Sequence, residues 1–220
     1  MKIFLDTANL EKIKYWVDTG IIDGVTTNPT LLSKEGGNIK KLVQEIAAAV
    51  PHGDVSIEVT ETDPQKVYAQ AKEIAKIADN IIVKIPCHQD YYLIIKKLVQ
   101  EGIRINVTLV FTLIQSVLMC KLGVKYISPF IGRWDDIDVN GIEIIDEIRL
   151  MLDDYAFEKT EVLAASIRHV RHFHEAILAG ADVITVPISV LKKATKHPLT
   201  DQGIVKFNTD WQKLGIKQFP

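Results

Sequence analysis

Cysteine is scarce in this chain of 220 residues, and the two that occur, Cys87 and Cys120, stand in no CxxC pair and no Cys/His ligand spacing. Reduced packing thiols therefore fit better than a disulfide framework or a metal site. An excess of charge is lacking too: 26 Lys and Arg face 28 Asp and Glu, a formal net charge of −2. That balance offers no general attraction to nucleic acid or to an anionic membrane, so any anion site must be local. No uncharged apolar run approaches the length of a membrane span. Met1 is followed by only four residues before Asp6, too few for the apolar region of a signal peptide, so a reducing cytoplasm is the expected location. Low-complexity tracts and linkers rich in Gly, Ser or Pro are missing as well, and residues 1–220 read as one domain. What remains is ordinary globular material, 47% hydrophobic and 25% charged.

Short β-favouring runs alternate with helical patterns along the whole chain. Strands are expected at 2–5, 21–26, 55–59, 81–85, 103–107, 124–128, 161–165 and 182–186, with helices between them opened by caps such as Asn9 and Asp63-Pro64 and closed by Gly20, Gly102, Gly123 and Gly180. Eight such cycles specify a (β/α)8 TIM barrel, with a doubly wound open sheet as the competing arrangement. Residues 200–220 follow the eighth cycle as a C-terminal helical extension. Ile204, Phe207, Trp211 and Leu214 fall on one face of it, and this stripe must pack on its own barrel or on a neighbouring subunit.

One strand carries a residue that packing does not explain. In Ile81-Ile82-Val83-Lys84-Ile85-Pro86 a lysine sits among apolar residues, where lysine is rarely found unless it is paired or used. With an ordinary pKa of about 10.4, only about one lysine amine in a thousand is uncharged near neutral pH, a handicap of roughly 4 kcal/mol that apolar surroundings reduce. A strand-held amine in a pocket suits Schiff-base catalysis. The alternative is an edge lysine whose ammonium reaches water.

In such barrels the chemistry sits at the C-terminal strand ends. Read in order, these carry Asp6, Thr26 with Asn28, Glu58, Lys84, Asn106 with Thr108, Ser128 with Arg133, and Ser166 with Arg168, so seven of eight ends are polar. The set holds an amine, two carboxylates, neutral hydrogen-bonding groups and two guanidiniums. Nothing resembles a nucleotide fingerprint, a phosphate loop or a zinc cluster, and a cofactor-free reaction without metal is expected.

The motifs Asp6-Thr-Ala-Asn9, Gly24-Val-Thr-Thr-Asn-Pro-Thr-Leu-Leu32, Val83-Lys-Ile-Pro86, Asn106-Val-Thr-Leu-Val-Phe111, Ser128-Pro-Phe-Ile-Gly-Arg-Trp-Asp-Asp136 and Ala165-Ser-Ile-Arg168 together resemble the short transaldolases, the group that includes fructose-6-phosphate aldolase. The resemblance spans essentially the whole chain. It implies transfer of a dihydroxyacetone unit from sedoheptulose 7-phosphate or fructose 6-phosphate to glyceraldehyde 3-phosphate or erythrose 4-phosphate, within the pentose phosphate pathway. By the same resemblance Lys84 forms the Schiff base, Asp6 moves the proton of the C4 hydroxyl, and Glu58 with Thr108 holds the water of imine formation and hydrolysis. Asn28, Asn106 and Ser128 would bond the dihydroxyacetone hydroxyls, with Thr26 and Ser166 beside them, while Arg133 and Arg168 would take the phosphate. The aldolase branch usually has Gln at position 58 and Tyr at position 130, so Glu58 and Phe130 point to the transaldolase branch. Relatives of this length are commonly decamers of two pentamers, which makes a homo-oligomer the expectation.

Each assignment has a plainer competitor. Asp6 could cap a helix, Arg133 and Arg168 could form rim salt bridges to Asp135 or Asp136, and the polar strand ends could merely satisfy backbone. His169, His172 and His174 follow Arg168; lacking an evident third ligand, they read as a solvated helix face. A fructose-6-phosphate aldolase and a non-catalytic phosphosugar-binding barrel are the rival functions.

Overall fold

The computed structural model describes residues 1–215. Its elements run β1 (Lys2–Asp6), α1 (Leu10–Asp18), β2 (Gly24–Thr26), α2 (Pro29–Glu35), α3 (Ile39–Ala49), β3 (Asp54–Glu58), α4 (Pro64–Ala75), β4 (Ile81–Pro86) and, after a short 3-10 turn, α5 (Tyr92–Gln100). They continue β5 (Ile105–Val110), α6 (Leu113–Leu122), β6 (Tyr126–Pro129), α7 (Ile131–Asp135), α8 (Glu143–Asp154), β7 (Glu161–Ala164), α9 (Val170–Leu178), β8 (Val183–Val186), α10 (Ile188–Ala194) and α11 (Pro198–Lys213). All eight strands are parallel, and β8 pairs with β1, which closes the sheet. The fold is a (β/α)8 barrel, and the open-sheet alternative falls because no strand edge is left among the eight.

Strand alternation sorts the side chains into two layers. Leu5, Val25, Val83, Ile85 and Val107 point outward and are buried under the helices. Phe4, Ile82, Tyr126, Leu163 and Val183 point inward and fill the barrel. Burying each such aliphatic or aromatic side chain is worth about 1.5–3 kcal/mol against the exposed state, and this double layer gives the strand ends a rigid base. At Gly24 an added Cβ would stand 2.5 Å from the Phe4 ring and 2.6 Å from the Asp54 carbonyl oxygen, so only glycine admits Phe4 there.

Several elements differ from the sequence expectations. Asn28 caps α2, a helix the reading lacked, by accepting from the Leu31 N–H at 2.9 Å, with Pro29 in its first turn. The short helices α7 and α10 were also unforeseen, since neither spans enough residues to show a period. β5 runs on to Val110 through a register shift between Val107 and Val110, where Leu109 takes a left-handed φ of 57°. Both cysteines are free thiols; burial pushes Cys120 up to about 11 and Cys87 above the ordinary range. In α11, capped by His197, no residue is buried, and Ile204, Phe207 and Leu214 are exposed. The last five positions of the expected tail helix lie outside the described residues. Among the described residues no helix is long and apolar enough to cross a membrane.

Candidate active site

Lys84 occupies the fourth position of β4 and points into the barrel because its neighbours Val83 and Ile85 face the helices. It is 6% exposed, which removes the solvated edge-lysine alternative. Its Nζ lies 3.0 Å from Glu58 Oε2 on the adjacent strand and donates to the Thr27 carbonyl oxygen at 3.2 Å. Glu58 and Lys84 are partners in the β3–β4 register, so their pairing follows from the fold itself. A carboxylate that close both compensates the buried cation and is placed to take its proton.

Asp6 stands at the end of β1 and does not cap a helix; Asn9 caps α1 by accepting from the Lys12 N–H at 3.1 Å. Burial raises the Asp6 pKa, opposed chiefly by the Lys84 charge and by a hydrogen bond from Thr26. The Thr26 hydroxyl reaches Asp6 Oδ1 at 3.1 Å and lies 2.5 Å from the hydroxyl of Thr185 on β8. Thr185 was missed in the sequence because threonine within Val-Ile-Thr-Val reads as an ordinary strand former. All eight strand ends thus carry a polar group.

Asn106 on β5 ties the next strands together, donating to Ser56 Oγ at 3.1 Å and accepting from Ser128 Oγ at 2.7 Å. Thr108 is buried, and its hydroxyl is the one side-chain polar atom among the described residues that is buried without a partner. An orphaned hydroxyl at the working end of a barrel is a place for a water or a reacting group. Asp6, Thr26, Asn28, Lys84 and Ser128 line a cavity of about 250 Å³. Phe130, Arg133, Ser166, Arg168 and Thr185 form the rest of its polar and aromatic wall; Glu58, Asn106 and Thr108 do not line it, although Glu58 touches Lys84 and Asn106 touches Ser128. A larger hollow of about 580 Å³, lined by Leu113, Val117, Leu150 and Tyr155, lies outside the barrel between α6 and α8.

The two arginines are held differently. The Arg133 guanidinium sits 5.3 Å from the centre of the Phe130 ring, and Phe130 in turn meets Phe111 at 6.1 Å. Arg168 forms a two-pronged pair with Asp136, so for this residue the rim salt bridge weighed above is present. Close approach of their segments depends on Gly132, where a Cβ would fall 2.4 Å from the Ser166 carbonyl oxygen. Ser166 itself holds a left-handed φ of 60°, a strain tolerated where surroundings enforce it.

The histidines depart from the solvated-face reading. His174 and His169 are exposed, but His172 is only 3% exposed, with Nε2 2.5 Å from Asp135 Oδ2. Asp135, His169 and His172 bring ligand atoms within 4.8 Å of one another, so the third ligand unseen in the sequence exists in space. Their hydrogen bonds oppose metal binding. His172 Nδ1 accepts the Arg168 N–H at 3.3 Å and His169 Nδ1 accepts the His172 N–H at 3.1 Å, which assigns each ring proton to Nε2, the nitrogen a metal would need.

A buried strand lysine with a carboxylate in contact, and a second carboxylate and two guanidiniums lining the same small cavity, form a charged pocket at the C-terminal strand ends, where enzymes of the (β/α)8 class carry their active sites. Residues 3–218 match the family described as Transaldolase/Fructose-6-phosphate aldolase, and the chain belongs to that family. Relatives named "Probable transaldolase" include those of Lactiplantibacillus plantarum, 50% identical over 99% of this chain and 100% of theirs, and Parvibaculum lavamentivorans, 49% identical over 99% of each. The relative from Thermoplasma volcanium is 48% identical over 97% of this chain and 96% of its own. Among solved structures, a flavocytochrome b2 variant with pyruvate bound superposes with a TM-score of 0.60 over 82% of this chain and 53% of that one; at 13% identity it shows the barrel fold alone.

Proposed function

We propose that this family member is a transaldolase that moves a dihydroxyacetone unit between phosphorylated sugars through a Schiff base on Lys84. The observation that carries the reading is the buried Lys84, in contact with Glu58 and lining one small cavity together with Asp6. Lys84 Nζ, its proton passed to Glu58, attacks the ketose carbonyl, and loss of water gives an iminium. Asp6 takes the C4 hydroxyl proton as the C3–C4 bond breaks, and the electrons of that bond move into the iminium to form an enamine. The aldose product leaves, an acceptor aldehyde adds to the enamine, and Asp6 returns the proton to its oxygen. Glu58 and the unpartnered Thr108 hydroxyl hold the water that hydrolyses the final imine. Asn28 keeps its amide N–H groups for a substrate hydroxyl, since only its oxygen caps α2. Thr26, Asn106, Ser128 and Ser166 would orient the remaining hydroxyls, and Arg133 and Arg168 would receive the phosphate, Arg168 sharing its fork with Asp136.

Phe130 supports transfer over simple cleavage. A phenyl ring held by Arg133 and Phe111 has no proton to give the enamine, which therefore persists for an acceptor. We further read residues 1–220 as one barrel domain with a helical extension, working in the cytoplasm as a homo-oligomer. The apolar residues that α11 leaves uncovered support the last point. Borohydride added with fructose 6-phosphate should inactivate the protein and add a dihydroxyacetone-derived mass to the peptide bearing Lys84. Turnover should require erythrose 4-phosphate or glyceraldehyde 3-phosphate; release of free dihydroxyacetone at a comparable rate would make it an aldolase, and absence of labelling would end the mechanism.

A further inference from the structure

Thr185 lies outside every role assigned above. It is 3% exposed, and across the inward face of β1 its hydroxyl meets the Thr26 hydroxyl at 2.5 Å. Among the described residues that hydroxyl has no other hydrogen-bond partner. Each threonine hydroxyl owns one proton. Thr26 has two neighbours that could accept its proton, Asp6 Oδ1 and the Thr185 oxygen, but Thr185 has only Thr26 to give to. Both contacts are satisfied together only when Thr185 donates to Thr26 and Thr26 donates to Asp6. We propose that Thr185 is a positioning residue which, through Thr26, holds Asp6 Oδ1 as an acceptor and confines the traffic of the catalytic proton to Oδ2.

Hydrogen bonds in such a chain polarise one another, so the bond reaching Asp6 is stronger than Thr26 alone would supply. It acts on the ionised carboxylate, against burial, which favours the protonated form. The other charged groups facing Asp6 are Lys84 from β4 and Glu58 from β3, with Arg133 and Arg168 lining the same cavity; among the described residues β2 and β8 contribute the two hydroxyls and no charge. The proposal rests on Asp6 being the group that moves the C4 proton.

The test compares Thr185→Val, which keeps the shape and removes the hydroxyl, with Thr185→Ser, which keeps the hydroxyl. Carboxyl-carbon NMR of the full chain without substrate should show Asp6 titrating about half a pH unit to one unit higher in the valine variant and unchanged in the serine variant. In turnover, kcat should fall about three- to tenfold with KM within about twofold, and the acid limb of the pH profile should move up with Asp6. Lys84 should still be trapped by borohydride. An Asp6 titration identical in wild type and Thr185→Val overturns the proposal, as does a serine variant that behaves like valine. Should the wild type itself fail to trap substrate, the transaldolase reading falls, and the substrate-free titration still decides whether the hydroxyl chain exists.

Discussion

The two ends of the barrel hold charge in opposite ways. At the N-terminal end three carboxylates are each held by two donors, at least one of them a cation. Asp54 takes Arg104 at 2.6 Å and the Tyr126 hydroxyl at 2.7 Å, Glu161 takes both Lys2 and Lys125, and Asp182 takes Arg149 at 2.8 Å and the Val162 N–H at 2.9 Å. At the C-terminal end Lys84, paired with Glu58, lines a cavity, Asp6 is pushed toward its protonated form by burial, and the Thr108 hydroxyl has no partner among the described residues. One end is saturated and seals; the other keeps unspent hydrogen-bonding capacity, which is what a reacting molecule needs.

The largest expected break in this contrast is Lys84→Arg. Charge is retained but no accessible free amine remains, so turnover should drop by at least about a thousandfold and borohydride trapping should vanish, read by assay and intact mass. Tyr126→Phe probes the other end. It leaves Asp54 one partner short and should cost about 1–2 kcal/mol in denaturant unfolding while kcat/KM stays within about twofold of wild type. The smallest effect belongs to Glu161→Gln. Burial alone would raise the Glu161 carboxyl, yet the bonds from Lys125 and Lys2 outweigh it and leave it below its ordinary 4.5. Its contribution is therefore complete above that value and is lost as pH falls through the lower folded one. Acid unfolding should show a component of about 1 kcal/mol or less that is missing from Glu161→Gln. Asp6 carries the reverse sign: its raised folded pKa makes ionisation at neutral pH a cost to stability, relieved in acid.

Most of the barrel was legible because strand and helix periods alternate and glycines end the helices. Lys84 and Glu58 stood out for another reason, since charges inside apolar strand patterns contradict packing, and Asp6 stood out as a carboxylate at a strand end. What escaped were features that only three dimensions create. Thr185 hides in a good strand sequence, α7 and α10 are too short to show a period, and the extension of β5 depends on a left-handed Leu109 that no local signal announces. His172 looked solvated on its helix until Asp135, 37 positions earlier, came to meet it.

Phe4, admitted by the missing side chain at Gly24, is locked into one cluster with Leu163, a residue of the cavity wall, and so braces the cavity from within the barrel. Enlarging the cavity must consequently begin at Phe130 or beside Arg133, because excavation from within the barrel would undermine the beams on which the strand-end side chains rest.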